Sequence, residues 1–377
     1  MHSGANASPP TAGPGRERRP AGASPGRAQR PTMKDVAARA GVGLKTVSRV
    51  VNDEPGVLPD TAALVRKAID ELGFRRNDSA RQLRTGRTGG VGLVLEDVAD
   101  PFYCLLAGAV EQVARTHGSL LFAASSQDDP DRECELALAL CERRVDGLII
   151  VPAAHDHAYL APELEAGMTV VFAERPPVNL AADTVLADNL EGARRGVGHL
   201  IEHGHRRIAF VGDAPDSYTT AQRLLGYRCA MAEARSPVDE GWIALAPPGP
   251  QLVRNTLTRL LDDPAEPVTA LFTANSQVTV AVLRELAVRS RGTSAAPAPP
   301  RAPAPPPRRP ALVGFDDIEL ADLLDPGVTV VAQDPTALGR AAARLLFERL
   351  AGDDAPPRTI TLPTALIPRG SGELPPP

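Results

Sequence analysis

A chain of 377 residues with 43% hydrophobic side chains is long enough for two or three domains and a large buried core. No run approaches the roughly 20 apolar residues of a membrane span, and the arginine-bearing N-terminus lacks the apolar stretch of a secretory signal, so a cytoplasmic protein without membrane contact is expected. The net charge of −5 hides an asymmetry: residues 1–90 hold 16 Lys and Arg against 8 Asp and Glu, while the remainder holds 25 against 38, a basic head on an acidic body that suits contact with a polyanion through the head alone.

Residues 1–31 are rich in Pro, Gly, Ala and Arg without periodicity and read as a tail. From Thr32 to Asn52 the pattern is two short amphipathic helices around a glycine-centred turn. Thr32 suits an N-cap and Asp35 stands where a capping-box acid belongs. Val36, Ala37 and Ala40 face one way; Gly41 ends the first helix and Gly43 opens the second. There Val47, Val50 and Val51 share a stripe, leaving Lys45, Thr46, Ser48, Arg49 and Asn52 outward. Such lysine, hydroxyl, arginine and amide groups reach base edges and phosphates in a major groove. A third helix is expected over 59–73, with Pro59 at its first position, Gly73 at its end and Leu64, Val65, Ala68, Ile69 and Leu72 buried. The segment 77–88 is too polar and short for a stable isolated helix.

From residue 89 the pattern alternates strands and helices. Strands are expected at 90–95, 119–124, 146–151 and 169–173, then at 207–211, 241–245, 270–273 and 311–315. Between them lie helices near 103–117, 130–144, 189–203, 220–234, 252–261, 276–289 and 335–351, with 184–189 as a crossing segment. Apolar strands separated by amphipathic helices imply parallel sheets covered on both faces. Two such units in series suggest doubly wound lobes with a cleft between them. Residues 291–310 are a Pro/Ala-rich insertion of polyproline character.

The runs Asp35-Val-Ala, Ala40-Gly-Val and Thr46-Val-Ser-Arg-Val-Val-Asn52 resemble the helix-turn-helix of the LacI/GalR family of bacterial transcriptional regulators, and the resemblance extends from about residue 32 to about 370. It implies an α/β chain with an all-α DNA-binding head at 32–76, a hinge at 77–88 and a periplasmic-binding-protein-like core of two doubly wound lobes at 89–370, which leaves 371–377 as a tail. Thr32, Leu44, Lys45, Thr46, Ser48, Arg49 and Asn52 would contact DNA, with Leu44 and Lys45 at the usual base-reading positions. In the hinge, Asn77, Ala80, Arg81, Leu83 and Arg84 match, and Leu83 would wedge into the minor groove. Departures are Gly43 where serine is usual, Leu58 in place of a cap, Arg76 in place of proline, and the insertion at 291–310.

The cleft is expected to bind a small molecule beyond the carboxyl ends of the strands. By the same resemblance its residues would be Phe102 and Tyr103 in Asp100-Pro-Phe-Tyr103, Glu174 after the fourth strand, Arg223, Asn275 and Asp316. Arginine and acids around an aromatic plate suit a polyhydroxylated ring, hence a sugar or sugar derivative. Asn275 and Asp316 fit equally well as helix caps. Ser276 stands where an acid is usual, and Glu174 is itself unusual.

No nucleophile elbow, P-loop or HExxH run occurs, so no catalytic residue, metal or cofactor is expected. Cys104, Cys134, Cys141 and Cys229 form no CxxC pair and read as buried free thiols. His155 and His157 read as loop histidines on the surface. The expected protein is a homodimeric regulator of a palindromic operator, most simply a repressor of a catabolic operon, tuned by a sugar-like effector. The competing readings are a sugar receptor without a DNA role, which residues 89–370 alone would fit, and an enzyme on an α/β scaffold.

Overall fold

The computed structural model describes residues 31–75, 88–245, 249–292 and 309–376. The tail before residue 31, the hinge candidates Asn77, Ala80, Arg81, Leu83 and Arg84, and nearly all of the Pro-rich insertion lie outside the described residues. Two compact units divide near residue 80.

The first unit is three helices, α1 (Met33–Ala40), α2 (Leu44–Val51) and α3 (Pro59–Leu72). Thr32 closes the expected capping box: its hydroxyl oxygen accepts from the Asp35 N–H, and the Asp35 carboxylate accepts from the Thr32 N–H at 2.7 Å. Gly41 and Gly73 end α1 and α3 in the left-handed conformation, with φ of 68° and 62°. Gly43 and Leu58 supply no side-chain cap to α2 and α3. Val36, Val47, Val50, Ala62, Val65 and Ala68 form the core. Leu64 departs from the expected stripe: it is exposed, and Ala62, two residues earlier, points inward instead.

The second unit holds two six-stranded sheets. Lobe 1 contains β1 (Gly90–Leu95), α4 (Pro101–Thr116), β2 (Leu120–Ser125), α5 (Pro130–Glu142), β3 (Gly147–Ile150), α6 (Ala161–Glu165), β4 (Thr169–Ala173) and β5 (Asp183–Ala187). Lobe 2 contains α7 (Asn189–Glu202), β6 (Ile208–Gly212), α8 (Tyr218–Glu233), β7 (Ile243–Leu245), α9 (Pro250–Leu261), β8 (Ala270–Thr273), α10 (Ser276–Gly292), β9 (Ala311–Phe315) and β10 (Thr329–Ala332). The chain then re-enters lobe 1 through α11 (Pro335–Leu350) and β11 (Thr359–Leu362), and returns to lobe 2 as β12 (Ala365–Ile367).

The sheet orders are β11-β5-β4-β3-β1-β2 and β12-β10-β9-β8-β6-β7. Every pairing is parallel except β10 with β12. The lobes are therefore interleaved rather than simply in series, and the segment at 184–189 is strand β5 followed by the start of α7. In lobe 1, α11 packs with α4 on one face of the sheet through Leu338, Leu345, Leu346 and Leu106. The other face is covered by α5 and Leu160. In lobe 2, α7 and α8 cover one face, α9 and α10 the other. Strands β10, β11 and β12 escape the sequence pattern because each is three or four residues long and set among prolines and polar residues.

Other expectations need correction. The chain stays packed beyond residue 370: the Ser371 hydroxyl donates to the Leu312 carbonyl at 2.6 Å, and Glu373 takes hydrogen bonds from Thr329 and the Gly370 N–H and lies 2.6 Å from His199 Nε2. His157 is fully buried, its Nδ1 accepting from the Val178 N–H at 3.0 Å, whereas His155 is exposed as expected. The four cysteines are free, but only Cys141 is buried; Cys104 is exposed and the other two are half-buried. Among the described residues no helix is long and apolar enough to cross a membrane.

Candidate functional site

Two sites arise, one on each unit. On the first, burial of Val47 and Val50 turns the rest of α2 outward. Leu44 and Lys45 are exposed at its N-terminal end, and Thr46, Ser48, Arg49 and Asn52 are half-buried around it. Asn52 donates to the Ser48 hydroxyl at 3.3 Å and to Glu54 at 3.4 Å, which orders the far end of this polar face. Thr32 is spent on capping α1. A two-turn helix with donors on its outer face has the size and chemistry for a major groove.

The second site lies where the two sheets of the second unit end. Glu96 follows β1, Glu174 follows β4, Asp213 follows β6, Asn275 lies just past β8, Asp316 follows β9 and Gln333 follows β10. Glu174 and Asp316 hold positive φ, 71° and 68°, a conformation costing a non-glycine residue roughly 1–2 kcal/mol and typical of side chains aimed for function.

Arg223 stands at the centre and is 2% exposed. Its Nε donates to Asn189 Oδ1 at 2.7 Å and its Nη1 to the Ala274 carbonyl at 2.6 Å, with Asp316 at 3.4 Å. The guanidinium lies 3.8 Å over the Phe315 ring. Its Nη2 is buried without a hydrogen-bond partner, 4.0 Å from Glu174 Oε1 across the two lobes. Gln333 Nε2 donates to Asp316 Oδ1 at 2.7 Å, while Gln333 Oε1 is likewise buried and unpartnered.

Arg175 organises the lobe 1 side. It donates to Glu96 at 2.6 Å, Asp128 at 2.6 Å, Glu174 at 3.1 Å and the Pro152 carbonyl at 2.9 Å. Burial raises the carboxyl pKa of Glu96, Glu174 and Asp316, with the arginines opposing it. Gln277 Nε2 reaches Asp100 Oδ2 at 3.0 Å, a second bridge between the lobes. A cavity of about 1270 Å³ opens beside this floor, lined in part by Asp100, Phe102, Gln277, Asp316 and Gln333.

Of the sequence candidates, Glu174, Arg223 and Asp316 meet directly. Asn275 caps α10 by accepting from the Val278 N–H at 2.8 Å and donates to Asp213 at 3.3 Å, so it serves the cleft and the helix together. Phe102 lines the cavity. Tyr103 does not offer a ring face: it is buried in the lobe 1 core, and its hydroxyl donates to Glu96 at 2.9 Å. Sequence reasoning missed Gln333, Asn189, Glu96, Asp128 and the bridging role of Arg175. Gln333 was hidden because β10 was, and Glu96 was legible as the first residue past β1.

Residues 32–77 match the model of the bacterial regulatory proteins of the lacI family, and residues 197–372 that of a periplasmic binding protein-like domain. The HTH-type transcriptional regulator CelR of Thermobifida fusca is 34% identical over 353 residues, covering 90% of this chain and 98% of that protein. The chain belongs to the LacI family. A LacI-family chain of this organisation is a DNA-binding transcriptional regulator whose action a small-molecule effector modulates. The solved CelR–cellobiose complex is similar at 32% identity and a TM-score of 0.63, covering 91% of this chain and all of that one. The lac repressor dimer bound to operator and the anti-inducer ONPF shares the fold, with a TM-score of 0.74 at 23% identity over 91% of this chain and 99% of its own.

Proposed function

We propose that this LacI-family regulator is a cytoplasmic repressor of a catabolic operon, acting as a homodimer on a palindromic operator and tuned by a sugar-like effector. The observation that carries the DNA reading is α2, whose apolar stripe is buried and whose Leu44, Lys45, Thr46, Ser48, Arg49 and Asn52 are left to face a partner. Leu44 and Lys45 take base edges. Arg49, Ser48 and Thr46 take phosphates or bases beside them, and the N-terminus of α1 at Thr32 meets a phosphate. Asn77, Ala80, Arg81 and Arg84 flank Leu83, which enters the minor groove and bends the site.

The effector reading rests on Glu174 and Asp316 closing around Arg223, whose Nη2 is buried without a hydrogen-bond partner. Phe102 offers the apolar plate and Asn275 a further polar group. A ligand there engages both lobes, so it shifts their relative positions only by its difference in affinity for two arrangements. Exposed Leu120 and Phe122 on the edge of lobe 1, and Leu320, Leu323 and Leu324 on lobe 2, supply apolar surface for the second copy.

CelR's complex with cellobiose supports a saccharide as the ligand class. The sugar-receptor alternative shares that cleft but gives the polar face of α2 nothing to do, and the enzyme alternative fits neither that face nor the regulators that the chain resembles. The test separates base reading from phosphate holding. Lys45→Ala should relax preference at one position of each half-site. Arg49→Ala should weaken all sequences alike, and measured binding to single-base operator variants distinguishes the two. Unchanged operator preference in both variants would remove α2 as the reading helix.

A further inference from the structure

The two lobes approach each other through groups whose charge depends on pH. Glu174 of lobe 1 and Asp316 of lobe 2 reach one guanidinium: Arg223 Nη1 is 3.4 Å from Asp316 Oδ2, and Arg223 Nη2 is 4.0 Å from Glu174 Oε1. Glu174 also meets Arg175 at 3.1 Å, but that arginine is shared with Glu96 and Asp128, each at 2.6 Å. Four carboxylates therefore meet two guanidiniums, and Glu174 and Asp316 are only 5% and 8% exposed. The other titratable neighbours add no positive charge. Tyr103 donates to Glu96 at 2.9 Å, Tyr218 stands near Glu174, and Asp100 near Asp316. At the exposed rim His155 Nε2 of lobe 1 lies 3.7 Å from Asp216 of lobe 2, a pair that attracts only when the histidine carries a proton.

We propose that closure of the two lobes is coupled to proton uptake, so that acid favours the closed arrangement before any ligand enters the cleft. With the lobes apart, Glu174 and Asp316 face water and keep one guanidinium each. With the lobes together, both carboxylates lose that water and share Arg223, which favours their protonated forms. Burial raises the pKa of both against the pull of the arginines, which is the direction this coupling requires. The rim pair acts with the same sign, because a protonated His155 gains Asp216 only when the lobes meet. An arrangement that binds more protons is favoured as pH falls, and its advantage is lost as pH rises through its own, higher values. The coupling does not depend on which ligand fills the cleft. A ligand that engages both lobes draws on the same equilibrium, so proton and ligand reinforce each other and the regulator responds to acidity as well as to its effector.

The test is small-angle X-ray scattering of the full chain without ligand, from about pH 8 to about pH 5.5, a range that spans histidine titration. Ionic strength is held constant, and the concentration is one at which forward scattering shows an unchanging mass. The radius of gyration should fall as the pH falls. Glu174→Gln, which stands in for the protonated side chain, should already be contracted at the alkaline end and lose most of the dependence. His155→Gln leaves the buried cluster intact and should shift the contraction to lower pH. Should Glu174→Gln fail to fold, the shift in His155→Gln decides alone. A radius that ignores pH, an expansion on acidification, or a profile in the folded variants identical to that of the unaltered chain would overturn the proposal.

Discussion

At the level of single residues, Arg223 carries two duties that the sequence does not separate. It faces the cleft, and it ties α7, β8 and β9 together through Asn189, the Ala274 carbonyl and Asp316. Arg223→Ala would leave the buried Asp316 carboxylate without its cation and two acceptors unpaired, a loss on the order of 3–5 kcal/mol that would confuse binding with folding. Arg223→Lys is the sharper test. It keeps the charge but not the planar fork, so ligand affinity should fall at least tenfold while the chain stays folded, read by calorimetry and circular dichroism.

A different pair of residues sets acid sensitivity. Glu133 is buried in lobe 1; burial pushes its pKa up, but His157 close by at 3.4 Å and hydrogen bonds from Tyr159, Ala153 and Ala154 outweigh this and leave it below the ordinary value. Asp183 behaves alike: burial raises its pKa, but Arg349 and the Arg358 N–H lower it further. A native pKa below the unfolded one gives stability that is complete above the unfolded value and lost as pH falls through the native value. The part of the urea midpoint that Glu133 and Asp183 supply should therefore hold from pH 7 to pH 5 and be lost below about pH 4, while Glu96, Glu174 and Asp316, raised by burial, act with the opposite sign. Asp183→Asn should be less stable at pH 7 and flatter across the acid range. Glu174 and Asp316 stood out as polar residues just past strands, and Arg223 and Asp316 through the family resemblance of the runs that hold them. Asn189 and Gln333 did not, because they reach Arg223 and Asp316 only by folding.

Elements show where pattern succeeds and fails. The long amphipathic helices and continuous apolar strands were legible to within a few residues, because burial on both faces writes hydrophobic runs into the sequence. The interleaving of the lobes was not, since α11 reads the same whichever sheet it covers. Glycine decides how closely helices approach. A Cβ at Gly226 on α8 would stand against the Leu190 carbonyl oxygen and 2.9 Å from Ala193 Cβ on α7. Gly226→Ala should therefore cost about 1–3 kcal/mol by thermal or urea unfolding, a helix-propensity gain notwithstanding.

The entry of the chain into lobe 1 is fixed by one side chain. Asp146 accepts from the Thr88 N–H at 2.6 Å, the Thr88 hydroxyl at 3.0 Å and the Gly89 N–H at 2.8 Å. Thr88 is the last residue of the expected hinge and Gly89 the first of the expected core. Asp146→Ala should leave ligand affinity intact while reducing, by about fivefold or more, the ratio of operator affinities with and without ligand. An unchanged ratio in fluorescence anisotropy titrations would show that the clamp plays no part in coupling.

For the whole molecule, charge, pattern and motif point the same way. A basic N-terminal segment carries a helix-turn-helix with an outward polar face, and an acidic two-lobed body carries a cleft at whose floor one nitrogen of Arg223 and one oxygen of Gln333 are buried without a hydrogen-bond partner. The family match joins the two into one regulator. Twofold symmetry of a dimer demands a palindromic target, and the insertion proposed for Leu83 would be cheapest at a flexible pyrimidine–purine step at its centre. The most direct test is selection of bound duplexes from a random library by the purified full chain at near-physiological salt. The account predicts recovery of one imperfect palindrome with such a central step, released or tightened by the ligand that stabilises the cleft. Recovery of only sequence-independent binding that fades with salt, with or without that ligand, would contradict it.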